Sequence, residues 1–337
     1  MHITGIGVNG DGERLSGNLS QLEEDLAFFR RCGFDGVELS AHGLDVIING
    51  RVRRPQVERV RAIIERFDFL YTVHAPDWLN LAFPQLGPDG TSELNLEKDV
   101  FAACLDFCAD IGARLMVYHS GLIALLGVAS GLDPSLPDDD ALERACEQEV
   151  SALRELMPLA AERGVRVGME NRDPHPWEIA ALKRVGIPPR QLPKYHAGMI
   201  ISDLVRQVEG VAHPSLGLTL DFAHLFLAAN YCSFDYLEAV RQAAPYVCHL
   251  HASDNFGRLG GVFNQPTQRI SHGNGDLHLP PGWGLIPHSQ ALASLPAYHG
   301  LYILELHPRF YGWSLESLET VRSLLREAAQ VSQLAVN

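Results

Sequence analysis

What the 337-residue chain lacks narrows its chemistry before any element is assigned. Its six cysteines, Cys32, Cys104, Cys108, Cys146, Cys232 and Cys248, include no CxxC pair, so neither a zinc ribbon nor a disulfide framework is suggested. Cys104 and Cys108 stand one helical turn apart and read as small core residues. No Ser or Cys occupies a nucleophile elbow, no glycine-rich phosphate loop is present, and no GxGxxG follows a strand. Positive charge is scarce: 27 Lys and Arg stand against 41 Asp and Glu, a net charge of −14, and no loop is rich in Lys and Arg. A bare nucleic-acid backbone is repelled at long range by such a chain, which favours a small-molecule partner. No apolar run reaches membrane length, and MHITGIGVNGDGERL shows neither a basic start with an apolar run nor a small-residue cleavage site. The expected location is the cytoplasm, with no membrane partner. Low-complexity linkers and domain boundaries are missing too, so residues 1–337 are expected to form a single domain.

What is present is 46% hydrophobic residues, enough for a large core, arranged in a repeating alternation. Short runs rich in Val, Ile and Leu alternate with stretches of helical period, the pattern of βα units around a parallel sheet. Eight units are expected, with strands at His2 to Val8, Gly36 to Ser40, Leu70 to Ala75, Arg114 to His119, Val165 to Asn171, Leu216 to Phe222, Val247 to Ala252 and Leu301 to His307. The fold class is α/β, a (β/α)8 TIM barrel. Leu22, Leu26 and Phe29, and Val100, Ala103, Cys104, Phe107 and Ile111, mark apolar helix faces. Gly33, Gly112 and Gly164 each sit where a left-handed residue ends a helix. Three connections, Ser120 to Asp140, Asp173 to Gly198 and Asn255 to Pro287, are long loops of the kind that carry function. The first holds Pro134, Pro137 and the triplet Asp138, Asp139 and Asp140, expected to end in a helix N-cap.

In such a barrel the strand C-termini carry the chemistry. Here they read His74 in TVHAP, His119 in VYHSG, Glu170 in VGMEN, Asp221 and His224 in TLDFAH, His251 in HLHASDN and Glu305 in LELHP. Any one of these is explained by a helix cap or a satisfied loop amide. Jointly they are only imidazoles and carboxylates, a donor set for zinc, manganese, iron or cobalt. His249 and His251 share one side of their strand, so one can ligate while the other supports it; His251 is nearer the exit. Asp276 and His278 in GDLHLPPGWG lie two apart in an extended segment, either a ligand pair or a turn Asp followed by an exposed His.

These motifs together resemble the xylose isomerase-like TIM barrel superfamily, which includes sugar isomerases and epimerases and the endonuclease IV type of DNA repair enzyme. The resemblance runs over residues 36 to 310. It implies metal ligands at Glu170, Asp221, His251 and Glu305, as in mononuclear epimerases. It also implies the further ligands of the endonuclease IV branch at His74, His119, His224, Asp276 and His278. One to three divalent ions are therefore expected, and homo-oligomers are common in the group.

Two reactions follow. The favoured one is isomerisation or epimerisation of a sugar, sugar phosphate or polyol by metal-assisted proton transfer, with Glu170 and Glu305 as acid/base groups and His224 and Arg258 orienting substrate oxygens. The alternative is hydrolysis of a phosphate ester by an endonuclease IV-like multinuclear centre, with Glu170 bridging metals. Asn171, Arg172 and His175 follow Glu170 and reach either substrate or solvent; Glu38 meets either a substrate hydroxyl or a neighbouring side chain. Trp78, Trp177, Trp283 and Phe256 either wall the cleft or pack in the core.

Overall fold

The computed structural model describes residues 1–87, 91–131, 135–260 and 266–334. Eight parallel strands close on themselves: β1 (His2–Gly10), β2 (Gly36–Ser40), β3 (Leu70–His74), β4 (Leu115–His119), β5 (Arg166–Glu170), β6 (Leu216–Asp221), β7 (Val247–Ala252) and β8 (His299–Leu304). Neighbours run in chain order around the barrel, with β8 pairing back to β1. β2 and β6 are buried along their whole length, as strands covered on both faces must be. The strand expected at Leu301 to His307 instead spans His299–Leu304. Beyond it the Leu306 amide donates to Asn9 and the His307 amide to the His278 carbonyl, so the chain leaves the ladder for loop partners.

The outer ring consists of α1 (Leu19–Cys32), α2 (Arg54–Ile64), α3 (Leu94–Ile111), α4 (Asp139–Glu162), α5 (Ile201–Val211), α6 (Tyr236–Ala243), α7 (His288–Ala293) and α8 (Ser314–Leu334). Their ends follow the sequence signals. Asn18 caps α1 by accepting the Ser20 and Gln21 amides, and Asp138 caps α4 by accepting that of Ala141. Gly33, Gly112 and Gly164 adopt φ of 88°, 75° and 65°. Phe29, Phe101, Phe107, Tyr118 and Tyr302 fill the space between helices and barrel, and Cys104 and Cys108 are buried among them. All six thiols are free. Gly5, Gly7 and Gly10 spell a GxGxxG, but inside β1. A Cβ at Gly7 would meet the Ile303 side chain at 2.4 Å, so close strand packing accounts for that glycine.

The long connections are less irregular than expected. Ser120 to Asp140 contains a helix at Leu126–Ser130; Asp173 to Gly198 contains helices at Pro176–Arg184 and Leu192–Tyr195; Asn255 to Pro287 contains one at Pro266–His272. The periodic runs are too short to stand out from loop composition. Pro134, named above, lies outside the described residues.

Asp254, one residue beyond Ser253 at the exit of β7, anchors the last of these connections. Its buried carboxylate accepts amide hydrogens from Asn255 at 2.9 Å, Gly282 at 2.8 Å and Ile286 at 3.2 Å, drawing both ends of the segment together. Gly284 passes so close that a Cβ there would lie 2.3 Å from the Asn255 carbonyl oxygen. Replacing Asp254 with Ala leaves these buried amides unpaired. We expect a stability loss of about 2–3 kcal/mol in urea unfolding, with limited proteolysis cutting first within residues 255–286; an unchanged midpoint and cleavage pattern would refute the anchoring role.

Candidate metal centre at the barrel mouth

Parallel register brings the strand-end residues to one level. His119 pairs with Glu170 across β4 and β5, and Asp221 with His251 across β6 and β7. Alternate side chains then point into the mouth, where residues far apart in sequence meet.

Among the described residues the expected ligands fall into three groups, the atoms in each lying within 4.8 Å of one another: Glu170, Asp221, His251 and Glu305; His74, His119 and Glu170; and His224, Asp276 and His278; Glu38, His249 and His251 form another deeper in the barrel. Glu170 belongs to the first two. Its Oε1 lies 2.9 Å from His251 Nδ1, while its Oε2 lies 3.0 Å from His119 Nε2 and 3.3 Å from His74 Nε2. His224 Nδ1 is 3.6 Å from Oε1, so four imidazoles surround one fully buried carboxylate. In the third group Asp276 contacts His278 Nε2 and lies 3.8 Å from His224 Nε2. The loop pair thus faces the mouth, and the alternative of an unrelated turn Asp and exposed His is not what the fold builds.

The imidazoles are oriented as ligands are. His74 Nδ1 lies 2.7 Å from the Ala75 carbonyl oxygen, that of His119 3.3 Å from Asp77, that of His224 2.9 Å from Asn171, and that of His278 3.1 Å from Glu305. An Nδ1–H donated to a backbone carbonyl fixes the tautomer and leaves the Nε2 lone pair facing the donor group. Meanwhile Glu170 Oε2, Asp221 Oδ2 and Asp276 Oδ1 are buried without any hydrogen bond. Buried anionic oxygens without donors are costly, and protons on the facing rings or a bound cation would relieve that cost. A set of nitrogens and carboxylate oxygens of this kind fits a zinc, manganese, iron or cobalt ion.

The electrostatics agree. Burial lowers the affinity of His251 for a proton, but Glu305, Glu38 and Glu170 outweigh it and hold the ring well above its usual pKa. His74 is likewise raised to about 10, against burial, by Glu170 and Asp77, and His278 to about 10 by Asp276. Burial, with Glu170 and Asp221 nearby, pushes Glu305 up to about 8, whereas His251 and His119 overcome burial to hold Glu170 well below the carboxylate range. The mouth therefore stabilises added positive charge.

Other residues take places the sequence left open. Glu38 is buried: Thr72 donates to it, and His249 and His251 Nε2 approach its oxygens at 3.0 and 2.9 Å, so it backs His251 from within the barrel while also reaching the cavity. His249 is thus the supporting member of its pair. Asn171, expected to touch substrate, instead clamps β5 to β6, its side chain bonding the Asp221 carbonyl at 3.0 Å and amide at 2.9 Å. Arg172 is buried behind the wall, donating to the Ser120 and Asp77 carbonyls. Arg258, expected to orient substrate, is exposed and does not line the cavity; left-handed turns at Gly257 and Gly260 flank it.

The cavity over these groups has a volume of about 660 Å³. Beyond the expected residues it is lined by Asp11, Glu13, Arg14, Ser40, His42, Asp77 and His307. Sequence reading missed these because they sit at the end of β2 or in the segments after β1, β2, β3 and β8 with no ligand-like spacing. Arg14 is the one Lys or Arg among the described lining residues, and Asp25 engages it at 2.9 Å.

Comparison with known proteins agrees with this architecture. A search of curated protein sequences finds no match to the chain. Among solved structures, a D-tagatose 3-epimerase-like protein is 20% identical, with TM-score 0.64 and coverage of 97% of this chain and 99% of that one. A D-psicose 3-epimerase crystallised in the presence of D-fructose is 15% identical, with TM-score 0.63 and coverage of 96% and 99%. A xylose isomerase domain protein from Alicyclobacillus acidocaldarius subsp. acidocaldarius is 18% identical, with TM-score 0.62 and coverage of 96% and 99%. At these identities the likeness is one of fold. The xylose isomerase-like TIM barrel family model, however, matches residues 26–327, and the chain belongs to that family.

Proposed function

We propose that the protein is a divalent-metal-dependent enzyme acting on a small, oxygen-rich substrate of the sugar, sugar phosphate or polyol class at the C-terminal mouth of its barrel. The sugar epimerases among its fold neighbours support the substrate class. So does a cavity whose described lining holds Asp11, Glu13, Glu38, Asp77 and Glu305 against one, already paired, arginine, which offers little grip on a nucleic-acid backbone. The cytoplasmic location belongs to the same proposal.

Hydrolysis of a phosphate ester is the reaction that the geometry supports best. The observation that carries it is the position of Glu170, whose two oxygens face two different sets of donors. A carboxylate placed so is suited to bridging, and less suited to taking a proton from a C–H bond, for which one oxygen must be free. Glu170, Asp221, His251 and Glu305 would hold one ion, His74, His119 and Glu170 a second, and His224, Asp276 and His278 a third, the pattern of the endonuclease IV type. Ions bound there supply Lewis-acid polarisation of phosphate oxygens and a nucleophile from water at neutral pH. The protein's part is to fix the donors. Backbone carbonyls hold the imidazole tautomers, Glu38 backs His251, and His42, Asp77 and His307 line the space where substrate hydroxyls are oriented.

A second reading, sugar isomerisation or epimerisation, is favoured by one specific observation: Glu170, Asp221, His251 and Glu305 form a complete four-donor set by themselves. Metal analysis and paired assays separate the two. The hydrolytic reading, with its three donor groups, predicts about three divalent ions per chain, turnover of small phosphoesters, and loss of roughly 100-fold in rate on Asp276→Asn. Epimerisation of a ketose or inosose-like polyol that survives Asp276→Asn assigns the second reading instead. In either case Glu170→Gln should abolish turnover and lower metal content; turnover unaffected by that change removes Glu170 from the chemistry. Protein that holds no metal, and whose melting temperature is unmoved by chelator, would sink both.

A further inference from the structure

A further group of imidazoles and carboxylate lies outside the mouth. The chain leaving β5 places His175 at the start of the helix Pro176–Arg184, Glu178 in its first turn, and His196 just beyond Leu192–Tyr195. Their donor atoms lie within 4.8 Å of one another, and none of the three lines the mouth cavity. We infer that His175, Glu178 and His196 form a separate single-cation site of zinc type.

The distances suit it. Zinc bonds of about 2.0–2.1 Å to nitrogen and oxygen in a tetrahedron give ligand-to-ligand edges of roughly 3.3 Å. His175 Nδ1 and His196 Nδ1 lie 3.2 and 3.0 Å from Glu178 Oε2, and Oε1 is also 3.0 Å from His196 Nδ1. Glu178 and His196 are fully buried, and Glu178 Oε1 has no hydrogen bond although it faces the group. Two imidazoles and one carboxylate leave a fourth position open, and His175, about a quarter exposed, provides the way in.

Hydrogen bonds to Glu178 Oε2 account for part of the arrangement and leave Glu178 Oε1 and His196 Nε2 without a partner. Glu178 does accept the His175 backbone amide at 2.9 Å, as a helix cap. For both rings also to donate, each must carry its hydrogen on Nδ1. A neutral His175 then turns an Nε2 lone pair toward Asp173 Oδ1, 3.5 Å away, so this position calls for positive charge, either a second proton, which Asp173 and Glu178 favour against burial, or a cation. A cation bound at Nδ1 reverses this: Nε2 carries the hydrogen and faces the Asp173 carboxylate, the carboxylate–histidine–metal arrangement common in metal sites. Trp78 and Trp177, with ring centroids 6.4 and 5.5 Å from that of His175, flank the group with apolar surface.

A cation here braces the wall of the mouth. It joins the Pro176–Arg184 helix to the segment containing His196, from which the Gly198 carbonyl accepts the Arg172 amide at 2.9 Å. Arg172 in turn holds the Asp77 and Ser120 carbonyls beside the cavity.

The test compares metal content in full-length protein after exhaustive dialysis. A variant with His74, His224 and His251 all changed to Ala should retain one equivalent of zinc, lost when His175→Ala is added; cobalt loaded in its place should give the visible absorption of a tetrahedral site. No retained metal, or retention indifferent to His175→Ala, overturns the site. Should the triple variant not fold, wild type against His175→Ala decides alone: a drop of one equivalent with the mouth ligands intact supports the inference, and equal metal content refutes it.

Discussion

The structure turns on one buried carboxylate. Glu170 has no exposed surface and is met by His74, His119, His224 and His251 from four different strand ends. Burying that charge costs several kcal/mol unless positive charge or hydrogen bonds balance it. Around it stand Asp221, Glu305 and Glu38, so the imidazoles alone must balance several anions, and protons or cations must complete the sum. The rest of the molecule can be understood as what makes this unfavourable meeting affordable: a large apolar core, backbone carbonyls that set each ring, and strands stiff enough not to relax away.

The parallel barrel does this with little local specialisation. Register pairs residues side by side at one height, so an imidazole ending β4 is beside the carboxylate ending β5, and likewise for β6 and β7. The second layer is drawn from further inside: Glu38 on β2 meets His249 and His251 on β7 across the barrel rather than along the sheet. Thr72 on β3 completes that contact at 2.9 Å. The candidate ligand His251 is thereby held by a residue more than two hundred positions away, through a contact that forms only when the sheet closes.

This explains which parts were legible in the sequence. Strand ends could be read because an apolar run followed by His, Asp or Glu is a local signal, and all nine expected ligand positions fall into the three donor groups. The support of His251 by Glu38 could not, because nothing local distinguishes a Glu facing solvent from one facing the barrel axis. Asn171 and Arg258 were misjudged for a related reason: proximity in sequence to a ligand does not say which way a side chain turns, and Asn171 turns to clamp β6. The grouping of His175 with Glu178 and His196 escaped because Glu178 and His196 lie eighteen positions apart, on and beyond different short helices. The end of β8 was drawn too far because Glu305, Leu306 and His307 keep the polar and apolar alternation of a strand while the Leu306 and His307 amides leave the ladder for Asn9 and His278.

The three donor groups differ in how they are held, and this bears on how they act. Two rest on strand ends and inherit the rigidity of the barrel. The third depends on Asp276 and His278, carried by a connection that Asp254 ties down, and His278 adopts a left-handed φ of 47° that a non-glycine residue holds only under constraint. Such loops open at lower free energy than the strands beneath them. Any affinity of the third group for an ion therefore includes the free energy needed to keep that loop closed, whereas the first two groups are preorganised by the sheet.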